Sequence, residues 1–415
     1  MHVAIIPRRL TIVILILLLM LLLMPLCIAE GPTVKWAYQF NSRISSSPVL
    51  SNGLIYLGSW DGRMYVINTF FGDPEWNFRA YSAVFSTPLY HDDTIYFGDD
   101  EGYFHAVDVI KDTEKWNFKA GVNADTSPLF YNGRIIFGSN DSQVFALDIK
   151  NGTQIWNCTI GNNINIWLTA NNDTIYASAS DGNITAIDAY YGGILWCQHI
   201  GERAYAPIAY SGNIYAGTSD GDIVALDQYT GNQVWKYRTD GEVRSQPAAY
   251  NGIIYAGSDD GNLYALNATS GELIWKYGTG GPVRGTAIMN KNIIYIGSGN
   301  MSLSALDART GLPYWAFSTD SPVYSTPVID NDTIYFCSYG SDKSNSKLYS
   351  LELPQKLVVP SPTTAPISTE MPVNTAMAVP VPSPSAKPAP AWLPLPELVV
   401  ISIIGVNVRA LIKKK

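Results

Sequence analysis

The chain has 415 residues, of which 47% are hydrophobic, and a formal net charge of −8. An acidic balance of this size argues against a nucleic-acid partner, which would call for a basic face. Only Cys158, Cys197 and Cys337 follow the N-terminal segment, so at most one disulfide forms within the mature chain.

In chain order, Arg8 and Arg9 precede an apolar run over residues 10–23, and Cys27-Ile28-Ala29 supplies small residues before Glu30. This pattern predicts a secretory signal peptide over residues 1–29; the alternative is an uncleaved signal anchor. Cys27 invites a lipoprotein reading, which the bulky Leu26 opposes.

Next come Trp36, Trp76, Trp116, Trp156, Trp196, Trp235, Trp275 and Trp315, spaced by 40 residues with one step of 39. A period near 40 marks a repeat architecture. Each repeat holds four short strand-like runs. The first follows a Ser/Thr-Pro pair such as Thr87-Pro88, and the second reads IYxG, as at Ile254-Tyr255-Ala256-Gly257. The third reads LYALD and the fourth carries the tryptophan. Asp-Gly pairs such as Asp61-Gly62 and Asp260-Gly261 suit the tight hairpins between them. Four antiparallel strands per repeat predict an all-β, eight-bladed β-propeller over residues 30–353. The three-strand set ending near Leu353 lacks a tryptophan strand, and the strand of Trp36 lacks the other three. Pairing residues 33–40 with 347–353 closes the ring and removes two open sheet edges.

Residues 354–394 are rich in Pro, Ser, Thr and Ala and read as a stiff, extended stalk. Residues 395–415 hold an apolar segment, 398–412, followed by Lys413-Lys414-Lys415. The segment is shorter than the roughly 20 residues of a spanning helix and contains Asn407 and Arg409. Stalk, apolar segment and basic tail predict a C-terminal membrane anchor, with the propeller on the extracellular face. A retained helix and a processed sorting signal both fit.

The run from Ala225-Leu226-Asp227 through Thr230-Gly231 to Trp235, repeated from Ala265 to Trp275 and from Ala305 to Trp315, resembles the tryptophan-docking repeat of pyrroloquinoline-quinone (PQQ) propellers. That family includes quinoprotein alcohol dehydrogenases and a non-catalytic outer-membrane assembly lipoprotein. The resemblance covers roughly residues 33–353. It implies that each tryptophan packs between neighbouring blades. For a dehydrogenase it implies an adjacent cysteine pair, a bound calcium, PQQ and a catalytic aspartate. The chain has no Cys-Cys pair and no haem-attachment motif, and its unbroken period leaves no long insertion. No catalytic residue and no metal ligand is therefore assigned, and PQQ and calcium belong only to the dehydrogenase alternative. His91, His105 and His199 fall in different blades; His105 takes the place of Tyr264 and reads as a packing substitute. Asp99-Asp100-Glu101 and Asp259-Asp260 read as turn chemistry.

Variation within the repeat marks a candidate binding rim. Three residues before each first strand's proline, the blades give Ser45, Phe85, Asp125, Asn165, Ala204, Arg244, Arg284 and Tyr324. The preceding neighbour is mostly apolar, as at Val243 and Val283. Trp167 adds an aromatic where blade four replaces its Ser/Thr-Pro step with Ile166-Trp167-Leu168. Phe85, Asp125, Asn165, Trp167, Arg244, Arg284 and Tyr324 are the expected ligand contacts, with the two arginines suited to an acidic glycan or protein segment. A solvated loop under relaxed constraint would also vary in this way. Glycosylation sequons occur at Asn140, Asn151, Asn157, Asn172, Asn183, Asn267, Asn300 and Asn331, mostly in predicted turns. The expected function is a non-catalytic, monomeric binding or scaffold propeller for an envelope protein or glycan. A quinoprotein-like dehydrogenase is the alternative.

Overall fold

Alternating apolar and polar residues, broken by Gly and Asp/Asn, form short strands joined by tight turns. The computed structural model describes residues 31–124, 126–161, 166–340 and 346–355. These residues form eight four-stranded antiparallel sheets arranged as propeller blades. Blades one to seven are continuous stretches: residues 49–79, 89–119, 129–159, 166–199, 208–238, 248–278 and 288–318. Blade eight takes three strands from residues 328–352 and its fourth, Thr33–Gln39, from the start of the propeller. Thr33 pairs with Glu352 and Gln39 with Lys347, the closure expected from the unmatched pieces. Residues 1–29, the stalk beyond Gln355 and the segment 395–415 lie outside the described residues. Among the described residues no helix is long and apolar enough to cross a membrane.

The core sits in the seams between blades. Tyr215, Ile223, Ala225 and Trp235 of blade five pack with Ile254, Ala256, Tyr264 and Leu266 of blade six. Second and third strands are buried on both faces, which explains their near-continuous apolar sequence. In the outer strands only alternate residues turn inward, so LIWKYG buries Trp275 and exposes Leu273 and Ile274.

Each seam is locked by the tryptophan. The indole of Trp235 lies against Gly271 of blade six, where an added Cβ would sit 2.7 Å from the ring. Gly271 has φ +73, a left-handed conformation that glycine adopts at little cost. The same contact joins Trp36 to Gly72, Trp196 to Gly231 and Trp275 to Gly311. The indole N–H of Trp235 donates to the carbonyl of Ala268 at 2.9 Å, and the hydroxyl of Tyr215 donates to the same oxygen at 3.0 Å. Trp275 and Tyr255 share Ala308 in this way. The Thr-Gly of the repeat and the tyrosine of IYxG are thus parts of one device. Trp315 departs from it: its N–H is buried without a partner, because the turn it would dock on is where the chain leaves the ring.

Most first strands keep three residues, as in Ala248–Tyr250 behind Pro247, which cannot donate to the ladder; Ile288–Asn290 of blade seven is as short behind Ala287. The hydroxyl before the Ser/Thr-Pro position takes over: Ser245 Oγ donates to the carbonyl of Gly257 at 3.0 Å and accepts its N–H at 2.7 Å. Blade four lacks the proline, and its first strand runs the full six residues of Ile166–Asn171.

Among the described residues Cys158, Cys197 and Cys337 are free; Cys158 and Cys337 are buried, and Cys197 is exposed. Cys197 directly follows Trp196 and so points away from the seam, whereas Cys158 shares the inward side of Trp156. Of the sequon asparagines, Asn157 lies in an outer strand, and Asn183 and Asn267 sit at strand ends. Asn140, Asn151, Asn172, Asn300 and Asn331 lie in turns.

Removing residues 33–40 strips blade eight of its outer strand, and the shortened propeller is expected to aggregate or lose its cooperative melt. A calorimetric transition like the parent's would contradict the closure. Trp235→Ala is expected to cost about 3–5 kcal/mol. Trp235→Phe should cost about 1 kcal/mol more than Trp315→Phe, because only the first gives up a hydrogen bond; urea unfolding of both variants measures the difference.

Candidate functional site

The loop leading into each blade is pinned to the turn between the second and third strands of the blade before it. Val243 N–H donates to Thr218 O, Val283 N–H to Ser258 O and Val323 N–H to Ser298 O, each at 3.0 Å. These valines, with Ile44, Val84, Ala124 and Ala204, are buried. Val84, Ala124, Val243, Val283 and Val323 lie on the glycine that ends the IYxG strand of the blade before. A Cβ on Gly217 would sit 2.0 Å from the carbonyl oxygen of Val243, so this glycine admits the loop.

The residue after each buried anchor is raised to the rim, beside the turn of the preceding blade. Phe85 packs on Trp60, ring centroids 4.7 Å apart, and Trp60 donates its indole N–H to Ser45 Oγ at 3.1 Å. Tyr324 lies over Gly299, whose missing side chain makes room for it. In blade five the rim residue is Tyr205. Ala204, expected at the rim, is the buried anchor, bridged to Thr218. The lead-in loop there is one residue shorter, which is the origin of the single 39-residue step. Asp125 and Asn165 lie outside the described residues.

The remaining rim residues form one arc across blades four to eight. Trp167 meets Tyr205 edge-on, centroids 5.7 Å apart. Tyr205 donates its hydroxyl to Glu242 Oε2 at 2.8 Å. Arg244 Nη2 reaches the same oxygen at 2.9 Å, and Arg244 Nε donates to Asp259 Oδ2 at 3.0 Å. Arg284 holds Asp259 with a two-point fork, Nε to Oδ1 at 2.9 Å and Nη2 to Oδ2 at 3.0 Å. The Arg284 guanidinium lies over Tyr324 at 5.2 Å, and Tyr324 meets Tyr339 at 6.3 Å. The two arginines do converge on one anion, and that anion is Asp259 of this chain. Its charge and that of Glu242 cancel theirs. The rim therefore offers aromatic faces and a neutral, cross-braced polar strip.

Asp259 had read as turn chemistry, which belongs to its neighbour. Asp260 Oδ1 accepts the Asn262 N–H at 2.9 Å, and Asp260 Oδ2 accepts the Tyr264 hydroxyl at 2.7 Å. No spacing rule singles out Asp259, whose partners come from two lead-in loops. Tyr205 was findable from the 39-residue step.

His105 does more than fill the place of a tyrosine. It is fully buried and stacks on Phe97 at 5.1 Å. Its Nε2 lies 3.2 Å from Asp99 Oδ2 and its Nδ1 lies 2.6 Å from Glu114 Oε1. Burial pulls the imidazole pKa down, but the two carboxylates outweigh it and hold the pKa above its ordinary value. Burial of Asp99 is likewise outweighed, by His105 and the Tyr103 N–H, and its pKa falls. The hydrogen bond from His105 lowers Glu114. Among the described residues no group of three His, Cys, Asp or Glu side chains is arranged to hold a metal ion. His91 stacks on Phe130 at 3.9 Å, and His199 contacts Asn183 at 3.3 Å.

Comparison with known proteins bears on fold and family. A family model described as "Outer membrane protein assembly factor BamB" matches residues 29–166 and 279–352, more than half of the chain. A second, described as the β-propeller domain of glucose/ethanol/alcohol dehydrogenase, matches residues 199–284. Among solved structures, BamB from Moraxella catarrhalis is 17% identical with a TM-score of 0.63, over 78% of this chain and 100% of its own. The quinohemoprotein alcohol dehydrogenase from Comamonas testosteroni is 13% identical with a TM-score of 0.65, over 80% and 78%. The computationally designed Ika8 protein is 16% identical with a TM-score of 0.67, over 77% and 99%. At these identities the structural likeness is one of fold. No curated protein matches the sequence.

The clamp on His105 sets a pH window. A raised histidine pKa contributes stability that is full below the unfolded value of about 6.5 and is lost as pH rises through the folded value. The lowered Asp99 and Glu114 contribute stability that is full above about 4 and is lost as pH falls. The cluster therefore stabilises blade two most between about pH 4 and 6.5. Melting temperature should decline from pH 6.5 to 9, and His105→Tyr should flatten that decline. Equal slopes for variant and parent would count against the clamp.

Proposed function

The chain belongs to the PQQ-like β-propeller family of the outer-membrane assembly factor BamB, and we propose that it is a non-catalytic binding or scaffold propeller acting at the outer face of the cell membrane. The observation that carries the reading is the rim arc from Trp167 to Tyr339. It varies where structural positions repeat, and it is braced across blades by Asp259. Braced aromatic faces keep their geometry before a ligand arrives, which reduces the ordering cost of binding. Trp167, Arg244, Arg284 and Tyr324, together with the separate Trp60–Phe85 pair, are the proposed contacts; Tyr205 is buried and supports Trp167 and Glu242. Asp125 and Asn165 belong to the same positions in blades three and four. The proposed partner is an envelope protein or glycan.

Position outside the cell is supported by the signal-peptide pattern of residues 1–29, and attachment to the membrane by the stalk and basic-tailed apolar segment. The ends of the described propeller support a consistent geometry. Thr33 and Leu353 lie at the turns between first and second strands, on the face opposite the rim. A tether at that face leaves the rim free.

The dehydrogenase alternative draws on the match over residues 199–284, which carry Arg244 and Asp259. Against it stand the absent cysteine pair and the engagement of both Asp259 oxygens by arginine, which fits poorly with holding calcium at the rim.

Arg244→Ala with Arg284→Ala should leave the melting temperature within a few degrees, since exposed ion pairs contribute little. The same variant should lose crosslinked capture of envelope components by the purified ectodomain. Undiminished capture would move the site off the rim. Incubation with PQQ and calcium should leave no quinone absorbance on the protein after gel filtration; retained absorbance would favour the dehydrogenase.

A further inference from the structure

A cleft of about 330 Å³ opens on blade six beside the arginine-braced strip of the rim. Asp259, Asp260 and Asn262 line it, with Gly278, Gly280 and Gly281. Blades five and seven carry Arg238 and Ser318 where blade six has Gly278, and Asp240 and Asp320 where it has Gly280. The missing side chains open the cleft, whose volume lies at the small end of the range for small-molecule sites.

The groups around it suit a polar ligand without charge. Arg244 and Arg284 are balanced by Glu242 and Asp259. An acidic ligand would have to displace Asp259, which both guanidinium groups already hold at 2.9–3.0 Å. Burial of Asp260 is outweighed by hydrogen bonds from Tyr264 and the Asn262 N–H, and its pKa falls; the resulting carboxylate repels a second anion. Hydroxyl groups meet no such opposition. Both arginines spend Nε and Nη2 on the strip, which leaves Nη1 of each to donate to a ligand oxygen.

Aromatic rings continue from the cleft around the rim. A Cβ on Gly299 would sit 2.8 Å from the Tyr324 hydroxyl and 2.9 Å from Cδ of Pro282, a lining residue of the cleft, so Tyr324 stands at its end. Tyr324 meets Tyr339. Ser346 Oγ accepts the N–H of Gly340 and that of Ile44, each at 3.1 Å, which brings the blade-one lead-in next to Tyr339. Ser45 follows Ile44 and holds the indole of Trp60, which is 42% exposed and packs on Phe85. A chain of pyranose sugars has matching chemistry: C–H faces that pack on rings, and hydroxyl edges that donate and accept hydrogen bonds.

We propose that this stretch of the rim binds a neutral glycan, with one sugar seated in the cleft between Asp260 and Gly278 and further units running over Tyr324 and Tyr339 towards Trp60. The inference rests on the rim reading, names the chemistry of its partner, and replaces the acidic ligand that the two arginines suggested.

The purified full chain is tested on an array of neutral hexose and N-acetylhexosamine oligomers, uronate oligomers and acidic peptides. At least one neutral oligomer should bind at least tenfold more tightly than every acidic probe. Its affinity should change less than about twofold between low and high salt, because screening acts on charged pairs. Gly278 is not left-handed, and a Cβ there would meet Asn262 Oδ1 at an ordinary 3.5 Å. Gly278→Leu should therefore keep the melting temperature, fill the cleft and weaken binding at least tenfold. Trp60→Ala should weaken it about fivefold, and Trp60→Phe should restore most of the loss. Retention of acidic probes only, of no neutral oligomer, or full affinity in Gly278→Leu would overturn the proposal. Periodate, which cleaves the vicinal diols of sugars, separates this inference from the reading beneath it. Capture of envelope components that survives periodate but is lost in Arg244→Ala with Arg284→Ala overturns the glycan and leaves the rim as a protein site. Capture indifferent to both overturns the two together.

Discussion

An indole lying on a left-handed glycine, with its N–H on the carbonyl three residues earlier, makes six of the eight seams of this ring; Asp112 takes the glycine's place opposite Trp76, and Trp315 has no such turn. The contact couples four sequence features that look independent: the tryptophan, the Thr-Gly turn, the tyrosine of IYxG and the small residue whose carbonyl both rings share. Each blade alone exposes two apolar faces and cannot be stable; stacked blades bury them against each other. The spacing can shorten where the contact does not depend on it: the 39-residue step removes one residue from a lead-in loop, and Trp196 still lies on Gly231.

The rim inherits its order from those seams. Once neighbouring blades are fixed, the carbonyl of each second-to-third turn holds the next lead-in loop, and one side chain per blade rises beside the turn before it. Where the turn residue is glycine, as at Gly299, an aromatic ring lies over it. Where it is Asp259, two arginines from different loops close on it. The rim is thus a set of positions whose height is constant and whose chemistry is free to differ.

Most of the fold could be read from the sequence because the seams repeat it seven times over, and errors in one copy are corrected by the others. The ring closure was legible for the same reason, from one unmatched strand and one unmatched set of three. The site was legible only in part. Arg244, Arg284 and Tyr324 stood out by variation, yet their partner Asp259 sat in an Asp-Asp-Gly turn that local chemistry explains without it. Tyr205 was hidden by a one-residue deletion that shifted the alignment onto Ala204. His105 looked like a substitute for tyrosine because its two carboxylates lie off its own strand, Asp99 in the preceding turn and Glu114 on the next strand. Pairings made across strands and blades leave no periodic trace.

The strand that closes blade eight also imposes a delay. Thr33–Gln39 is made first, and its partner Lys347–Glu352 is made last. At about 5–20 residues per second of synthesis, roughly 300 intervening residues keep the first strand waiting on the order of 15–60 s. Throughout that time it is an edge without a sheet, open to pairing with other chains. Lys35 and the glutamine at position 39 interrupt its apolar residues, and charge on an edge is how natural strands discourage such pairing. The last strand added is therefore the one that ends the chain's most exposed period.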